Sequence, residues 1–352
     1  MALILDPAAP SLGERLSGNT LARWAPWASA LAAVGLALLL STFSGLSGVA
    51  GIAVVSVLLF IVIQTSWSFG VEGRRHAKDR LATTLIYSSF LLAAAPLIAI
   101  LGTVVVKGLS VFNGAFLTHS MRNIDTNKPG GGIYHAMLGT IEQVGIAAII
   151  GIPVGVLVAI YLVEYGARGR LARSISFFVD VMTGVPSIVA GLFVYTAFVL
   201  TLGFERSGFA GSLALTILMI PIMVRSTEEM LRLVPNDLRE SAFALGVPKY
   251  LTIMKIVVPT ALTGIVTGAM LAIARVTGET APLLLTTFLS QSINPNPFSD
   301  PQASIPTFIW DQIGTGNAAS IDRAWAGALT LILLVVMLNV AARLLARFNR
   351  VK

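Results

Sequence analysis

The chain has 352 residues, of which 55% are hydrophobic and 12% charged, with no cysteine and a mean hydropathy of +0.83. These values exclude an ordinary soluble domain, a disulfide framework and a thiolate metal site. A formal charge of +7 would suit a nucleic-acid binder, but the basic residues stand between long apolar runs, so the lipid bilayer is the expected partner and nucleic acid is not.

Eight apolar stretches are long enough, or nearly so, to span: 24–43, 48–67, 81–106, 138–163, 175–202, 209–224, 256–288 and 324–345. The first follows a long polar lead holding only Arg15 and Arg23, which reads as an uncleaved helix rather than a signal peptide. The sixth is short and must continue as helix past Arg225 to cross. The basic residues fix an orientation. One set of connections holds Arg15 and Arg23, then Arg74, Arg75, Lys78 and Arg80, then Arg168, Arg170 and Arg173. It continues with Arg232, Arg239, Lys249 and Lys255, and ends with Arg343, Arg347, Arg350 and Lys352. The alternate connections hold only Lys107, Arg122, Lys128, Arg206 and Arg323. Both termini and the 232–259 loop are therefore expected in the cytoplasm.

Stretch 138–163 carries Gly151 and Gly155, and stretch 256–288 carries Gly264 and Gly268, small residues four apart that let helices approach closely. The outer segments 111–134 and 290–322 are polar and rich in turn residues, and fit a partner surface or disordered connectors equally well.

The one long polar segment with helical logic is 233–259. Asn236 or Asp237 can cap a short helix after Pro235, Gly246 can end it, and Pro248 can open a second. Leu238, Ala242 and Leu245 fall on one small apolar face. A docking element and an ordinary surface loop fit this spacing equally. A DNA-binding helix-turn-helix does not, since the piece is short and hemmed in by membrane.

Ionisable groups inside a span mark either structural pairs or a pathway, because a charge at the bilayer centre costs roughly 2.5–3.5 kcal/mol on the insertion scale. Arg225 has Glu228 one turn on. Arg275 lies about 24 Å along its stretch from Pro259, with Glu279 four residues later. The bland reading is one structural ion pair in each helix. The functional reading is an oxyanion path: two guanidinium forks suit a tetrahedral anion, and Gly278 and Pro282 can loosen the helix around Glu279. Glu228 and Glu279 would then accept a hydrogen bond from a protonated oxyanion and repel a fully deprotonated one, which favours hydrogen phosphate over sulfate. The three histidines, His76, His119 and His135, lie in loops or at a membrane edge, so Ser187 has no triad setting. No cluster suggests a metal, and Gly-x4-Gly-Lys-[Ser/Thr] is absent.

Glu240-Ser241-Ala242, Gly246, Ile256 and Pro259 together resemble the EAA loop of ABC-importer permeases, with Ser241 in place of the first Ala and Val258 in place of the Leu of Ile-x-Leu-Pro. Arg275-Val276-Thr277-Gly278-Glu279-Thr280-Ala281-Pro282 is similar to the Arg-x-x-Gly-Glu-Thr-Ala-Pro segment of the PstA family of phosphate ABC-importer permeases. Gly184-Val185-Pro186-Ser187-Ile188, with Gly191-Leu192, is similar to a stretch of the same family, and Arg225-x-x-Glu228 also resembles it.

The resemblance implies an all-α polytopic membrane protein. It would have a MetI-like permease core of about six spans (81–352) behind an added N-terminal lead and two-span hairpin (1–80). It implies a permease subunit that is not itself an enzyme and binds no cofactor, ATP and Mg being held by a PstB-like ATPase dimer. A PstC-like second permease subunit and a PstS-like phosphate-binding protein complete the expected assembly. Arg225, Glu228, Arg275 and Glu279 are the expected substrate path, shaped by Gly184, Pro186, Ser187, Gly278 and Pro282. Glu240, Ala242, Phe243, Leu245, Gly246 and Pro259 are the expected coupling surface. Permeases for sulfate, molybdate or phosphonate share the EAA loop, and an anion channel is the remaining alternative.

Overall fold

The computed structural model describes residues 20–44, 48–166 and 169–348. The lead before Thr20, with Arg15, and also Arg168, Arg350 and Lys352, lie outside the described residues. Every regular element described is helical, and the chain divides into one unit ending at Leu101 and another beginning at Gly102.

The first unit is built from α1 (Ala25–Ser44) and most of α2 (Val49–Gly108). Gly73 interrupts α2 with φ 85 and ψ 173, a conformation essentially reserved for glycine. Val57 and Leu91 line one cavity, whereas a continuous helix would hold them about 50 Å apart. The chain therefore folds back at Gly73, and the arms of α2 are the expected spans 48–67 and 81–106. Ala25, Ser29, Ala33 and Ala37 recur every fourth residue of α1 and are all 1% exposed, a small-residue stripe of the kind that lets helix backbones close on each other. The turn is tied by Glu72, which takes two hydrogen bonds from Arg80 (2.5 and 2.6 Å), one from Ser68 (2.6 Å) and one from the Leu21 amide (2.6 Å).

The second unit holds α3 (Gly114–Thr118), then α4 (Tyr134–Ile160) with a π-helical turn, Tyr161–Tyr165. Next come α5 (Arg170–Thr183), α6 (Ser187–Val194) with a π-helical turn at Tyr195–Thr201, and α7 (Gly208–Arg232). The short α8 (Asn236–Ala244) and α9 (Lys249–Thr252) lead through Ile253–Val257 into α10 (Val258–Thr277). The chain ends with α11 (Ala281–Thr286), α12 (Ile305–Thr315) and α13 (Ala318–Phe348). As its short apolar stretch requires, α7 runs past Arg225 to Arg232.

Helix α7 is the central one. Gly151 and Gly155 of α4 face Met219 and Met223, while Gly264 and Gly268 of α10 face Met230 and Ser226. Each glycine leaves a notch that an α7 side chain fills, so apolar helices gain van der Waals contact that lipid tails cannot offer.

Two expected spans are not continuous. Stretch 175–202 is α5 and α6, bent by 108° at Gly184-Val185-Pro186. Pro186 lacks an amide hydrogen and pushes Val185 out of the helical region, which stops α5. Stretch 256–288 stops as helix at Thr277, where Gly278 closes α10 and Pro282 sits in the first turn of α11.

The outer segments are packed rather than loose. Arg323, 1% exposed, donates to the carbonyls of Thr126 (2.6 Å), Lys128 (2.8 Å) and Gly130 (3.2 Å) and to Gln312 Oε1 (2.7 Å). Gln302, also 1% exposed, donates to Glu142 (2.6 Å) and the Asn294 carbonyl (3.0 Å) and accepts from Gln143 (3.0 Å).

A Cβ on Gly155 would collide with Met223 Cβ, whereas one on Gly145 would meet nothing within 4 Å. Gly155→Ala is therefore expected to destabilise by about 1–3 kcal/mol, while Gly145→Ala stabilises by up to ~1 kcal/mol. Thermal unfolding of the purified protein checks the opposite signs.

Candidate functional site

The first half of the site is the loop after α7, which holds α8 and α9. Pro235, not Asn236 or Asp237, occupies the N-cap of α8, so those two residues supply its first turn. At the other end Gly246 adopts φ 77; its amide donates to the Phe243 carbonyl (2.9 Å) and the Val247 amide to the Ala242 carbonyl (3.1 Å). This is the Schellman termination that a glycine at this position favours.

The helix is fastened by Arg239, 13% exposed. Its guanidinium donates to Glu164 Oε1 (2.8 and 3.1 Å), to the Leu231 carbonyl (3.0 Å) and to the Val234 carbonyl (2.7 Å). Lys249 adds a bond to the Glu164 carbonyl and lies 4.8 Å from the Tyr165 ring centre. Three elements thus meet at one ion pair: the end of α4, the end of α7, and α8.

Around that anchor the expected coupling residues separate. Ala242 is buried at 4% and seats α8 on the protein, so it is not part of the outer surface expected for it. Phe243 (45% exposed) and Leu245 (82%) face outward, with Glu240, Gly246 and Pro259 also exposed. Leu238 and Tyr250 extend this apolar surface.

The second half of the site lies where the two broken spans meet. A Cβ on Gly191 would strike the Pro282 backbone, so α6 and α11 touch there without side chains between them. This contact brings the segment Gly184, Pro186 and Ser187 close to the segment Gly278 to Pro282. Gly184 closes α5, Pro186 precedes α6 and Ser187 opens it. Glu279 sits in the second break, between α10 and α11.

The antiparallel register of α7 and α10 fixes the depth of the arginines. Gly268 faces Ser226, and Arg275 lies seven residues, about 10 Å, farther along α10. That places Arg275 level with Met219, near the middle of α7, in keeping with the cluster formed by Met219, Ala272 and Val276. Arg225 sits about two turns nearer the inner end. The two guanidiniums are therefore not side by side.

Their environments differ as well. Arg225 donates to Glu228 (2.5 Å), Asp180 (2.5 Å), and the carbonyl (3.0 Å) and hydroxyl (2.9 Å) of Ser176. Glu228 is 5% exposed and also accepts from Arg232 (2.5 Å). This network bolts α5 to α7 and leaves Arg225 engaged in this conformation. Arg275 has a side chain 66% exposed, and its one ion-pair partner among the described residues, Glu279, stands at 3.6 Å. Its donors remain available.

Several contributors are not apparent from local sequence. Glu164 and Arg239 are 75 residues apart, and nothing in the loop points to the acid. Asp180 and Ser176 lie on the amphipathic α5. Glu142 and Gln143 do leave a signal, as an acid and an amide inside an apolar stretch, and they hold Gln302.

Comparisons with known proteins bear on this geometry. The family profile described as "Binding-protein-dependent transport system inner membrane component" matches residues 151–351. The chain is 48% identical over 273 residues to the phosphate transport system permease protein PstA 1 of Mycobacterium tuberculosis, covering 77% of this chain and 90% of that protein. It is 41% identical over 271 residues to the PstA protein of Yersinia pestis, covering 77% and 90%. Among solved structures, a bacterial ABC transporter involved in import of the acidic polysaccharide alginate matches with a TM-score of 0.50 and 14% identity, over 77% of this chain and 99% of that one. The last likeness concerns fold.

Arg239→Gln is expected to raise hydrogen exchange across residues 236–257 and leave 208–224 protected. Unchanged exchange in 236–257 would mean that the Glu164 pair does not hold the loop.

Proposed function

Because this chain belongs to the binding-protein-dependent transport system inner membrane components, as a multi-pass membrane protein whose curated relatives are PstA phosphate permeases, we propose that it carries inorganic phosphate inward as a subunit of an ATP-driven importer. The observation that carries the site is Arg275: an exposed guanidinium, level with the middle of α7, whose one ion-pair partner among the described residues is Glu279 at 3.6 Å. Facing lipid, such a charge would cost roughly 2.5–3.5 kcal/mol. Facing a wet path shared with a second permease subunit, it offers a planar fork to a tetrahedral anion.

Thr260 and Thr267 extend the exposed face of α10, together with Leu271 and Arg275. Their hydroxyls bond back to carbonyls one turn earlier, at 2.6 and 2.8 Å, which makes the face polar but internally satisfied. Before it reaches Arg275, entering phosphate meets Glu279, which lies farther along the chain from the cytoplasmic loop at the start of α10. A carboxylate there tolerates a protonated oxyanion, which can donate to it, and disfavours a fully deprotonated one. Arg225 and Glu228 act differently in this reading: their network with Asp180 holds the bent pair α5–α6 against α7 and is exchanged as the path opens.

The drive comes from the coupling surface. Phe243, Leu245, Leu238 and Tyr250 present an apolar patch suited to a groove on a PstB-like ATPase dimer, which binds ATP and Mg; this chain contributes no nucleotide site. The Arg239–Glu164 anchor passes movement of α8 to α4 and α7 as rigid bodies, giving alternating access. A PstC-like subunit completes the path and a PstS-like protein delivers phosphate to the outer segments. The distribution of basic residues along the sequence supports a cytoplasmic side for both termini and α8.

In proteoliposomes of the co-purified assembly, Arg275→Ala is expected to abolish ATP-dependent phosphate uptake while keeping the ATPase bound. Gly246→Asp, which strains the φ 77 position and charges the docking surface, is expected to lose uptake and release the ATPase. Normal uptake by Arg275→Ala would make that arginine structural. Uptake of sulfate in place of phosphate by the wild type would keep the architecture and overturn the substrate.

A further inference from the structure

The first unit contains a cavity of about 910 Å³, at the upper end of the ~300–1,000 Å³ typical of small-molecule sites. Every residue lining it belongs to α1, to the two arms of α2 or to Thr20. Its two ends differ in chemistry. Val34, Val57 and Leu91 line the apolar end; Glu72, Asp79 and Arg80 line the other, beside the turn at Gly73. From Arg80 to Leu91 the slot follows α2 for about 16 Å, so it is long as well as amphipathic.

Polar groups inside the slot are incompletely satisfied. Gln64 lines it, is 3% exposed, and its Oε1 has no hydrogen-bond partner among the described residues. A buried acceptor left in this state is costly unless an occupant donates to it. Arg80 neutralises Glu72 through two bonds, whereas Asp79 has no ion pair within 4 Å among the described residues. The lining therefore has one spare negative charge and one spare acceptor. Just outside it, Arg74, Arg75 and Lys78 are exposed at the same turn. The surrounding faces, including Leu31 (76% exposed), Val62 and Phe90, are apolar and open. Such faces bring lipid to the mouth.

We propose that this slot binds a bilayer lipid whose headgroup carries a phosphate and a protonated primary amine. One acyl chain lies between α1 and the arms of α2, the ammonium donates to Asp79 and Gln64, and the phosphate meets the basic rim. A quaternary ammonium has no N–H to donate, and an anionic glycerol headgroup would bring negative charge to Asp79. The site is independent of the phosphate path, and its test does not read transport.

The full chain in its assembly is reconstituted in vesicles of equal phosphatidylethanolamine and phosphatidylglycerol, extracted in mild detergent, and its bound lipids are weighed by native mass spectrometry. Phosphatidylethanolamine is expected to be retained in excess. Gln64→Leu and Asp79→Asn are each expected to lower that retention about tenfold, the step in affinity expected for one hydrogen bond to a charged group. Ala30→Phe, which fills the slot, is expected to abolish it. Thermal unfolding gives a second readout: adding phosphatidylethanolamine should raise the Tm of the wild type and not that of Gln64→Leu, which no longer buries an unpaired acceptor and should be at least as stable when delipidated. Equal retention of the two lipids, or wild-type retention by all three variants, would overturn the site.

Discussion

The close approach of α7 to the glycine-lined faces of α4 and α10 is the constraint on which the second unit depends. Between helices surrounded by lipid there is little hydrophobic drive, so contact must come from fit. Gly151 and Gly155 admit Met219 and Met223 from one side, and Gly264 and Gly268 admit Met230 and Ser226 from the other. With those registers set, the height of every polar group along the bundle follows. Arg225 falls at the inner end, where Asp180 and Glu228 enclose it. Arg275 falls halfway up, with an exposed side chain.

Both ends of α7 are then tied by polar contacts. At the inner end Arg239 gathers the carbonyls of Leu231 and Val234 together with Glu164 of the π-helical turn after α4. The buried face of α8 is closed by Ala242 and its termination is set by Gly246, so α8 is held to the rest of the unit at more than one point. At the outer end Gln302 and Arg323 pin the loops that face the opposite side. The two breaks at Gly184-Val185-Pro186 and Gly278-Glu279-Thr280 lie between these ties. They are the places where backbone, not a packed helix, connects adjacent elements, and hence where opposed movements of the bundle can be absorbed.

Local features were legible where the physics is local. The length of α7, the glycine pairs, the end of α8 at Gly246 and the all-helical architecture follow from hydropathy, small-residue spacing and left-handed backbone preference. The resemblance of the 240–259 and 275–282 segments placed the chain in its family. What depends on contacts between distant residues was not legible. Nothing near Arg239 in sequence points to Glu164, and Arg225 could not be distinguished from Arg275 until Asp180 and Ser176 were seen around it. Breaks were also hidden: Pro186 and Gly278 announce weak helix, but a run of apolar residues continues across both and hydropathy alone joins them. Ala242 shows the same limit, since its spacing groups it with Leu238 and Leu245 while packing turns it inward.

If the face of α10 bearing Arg275 lines an aqueous phosphate path, water and phosphate must both reach its exposed residues. The chain has no native cysteine, so single cysteines at Thr267, Leu271 and Ile273 can be tested for reaction with a membrane-impermeant thiol reagent in the assembled importer. Thr267→Cys and Leu271→Cys are expected to react, phosphate is expected to slow both, and the less exposed Ile273→Cys is expected not to respond to phosphate. Labelling of Thr267→Cys and Leu271→Cys by lipid-soluble reagents alone, with no effect of phosphate, would contradict such a path.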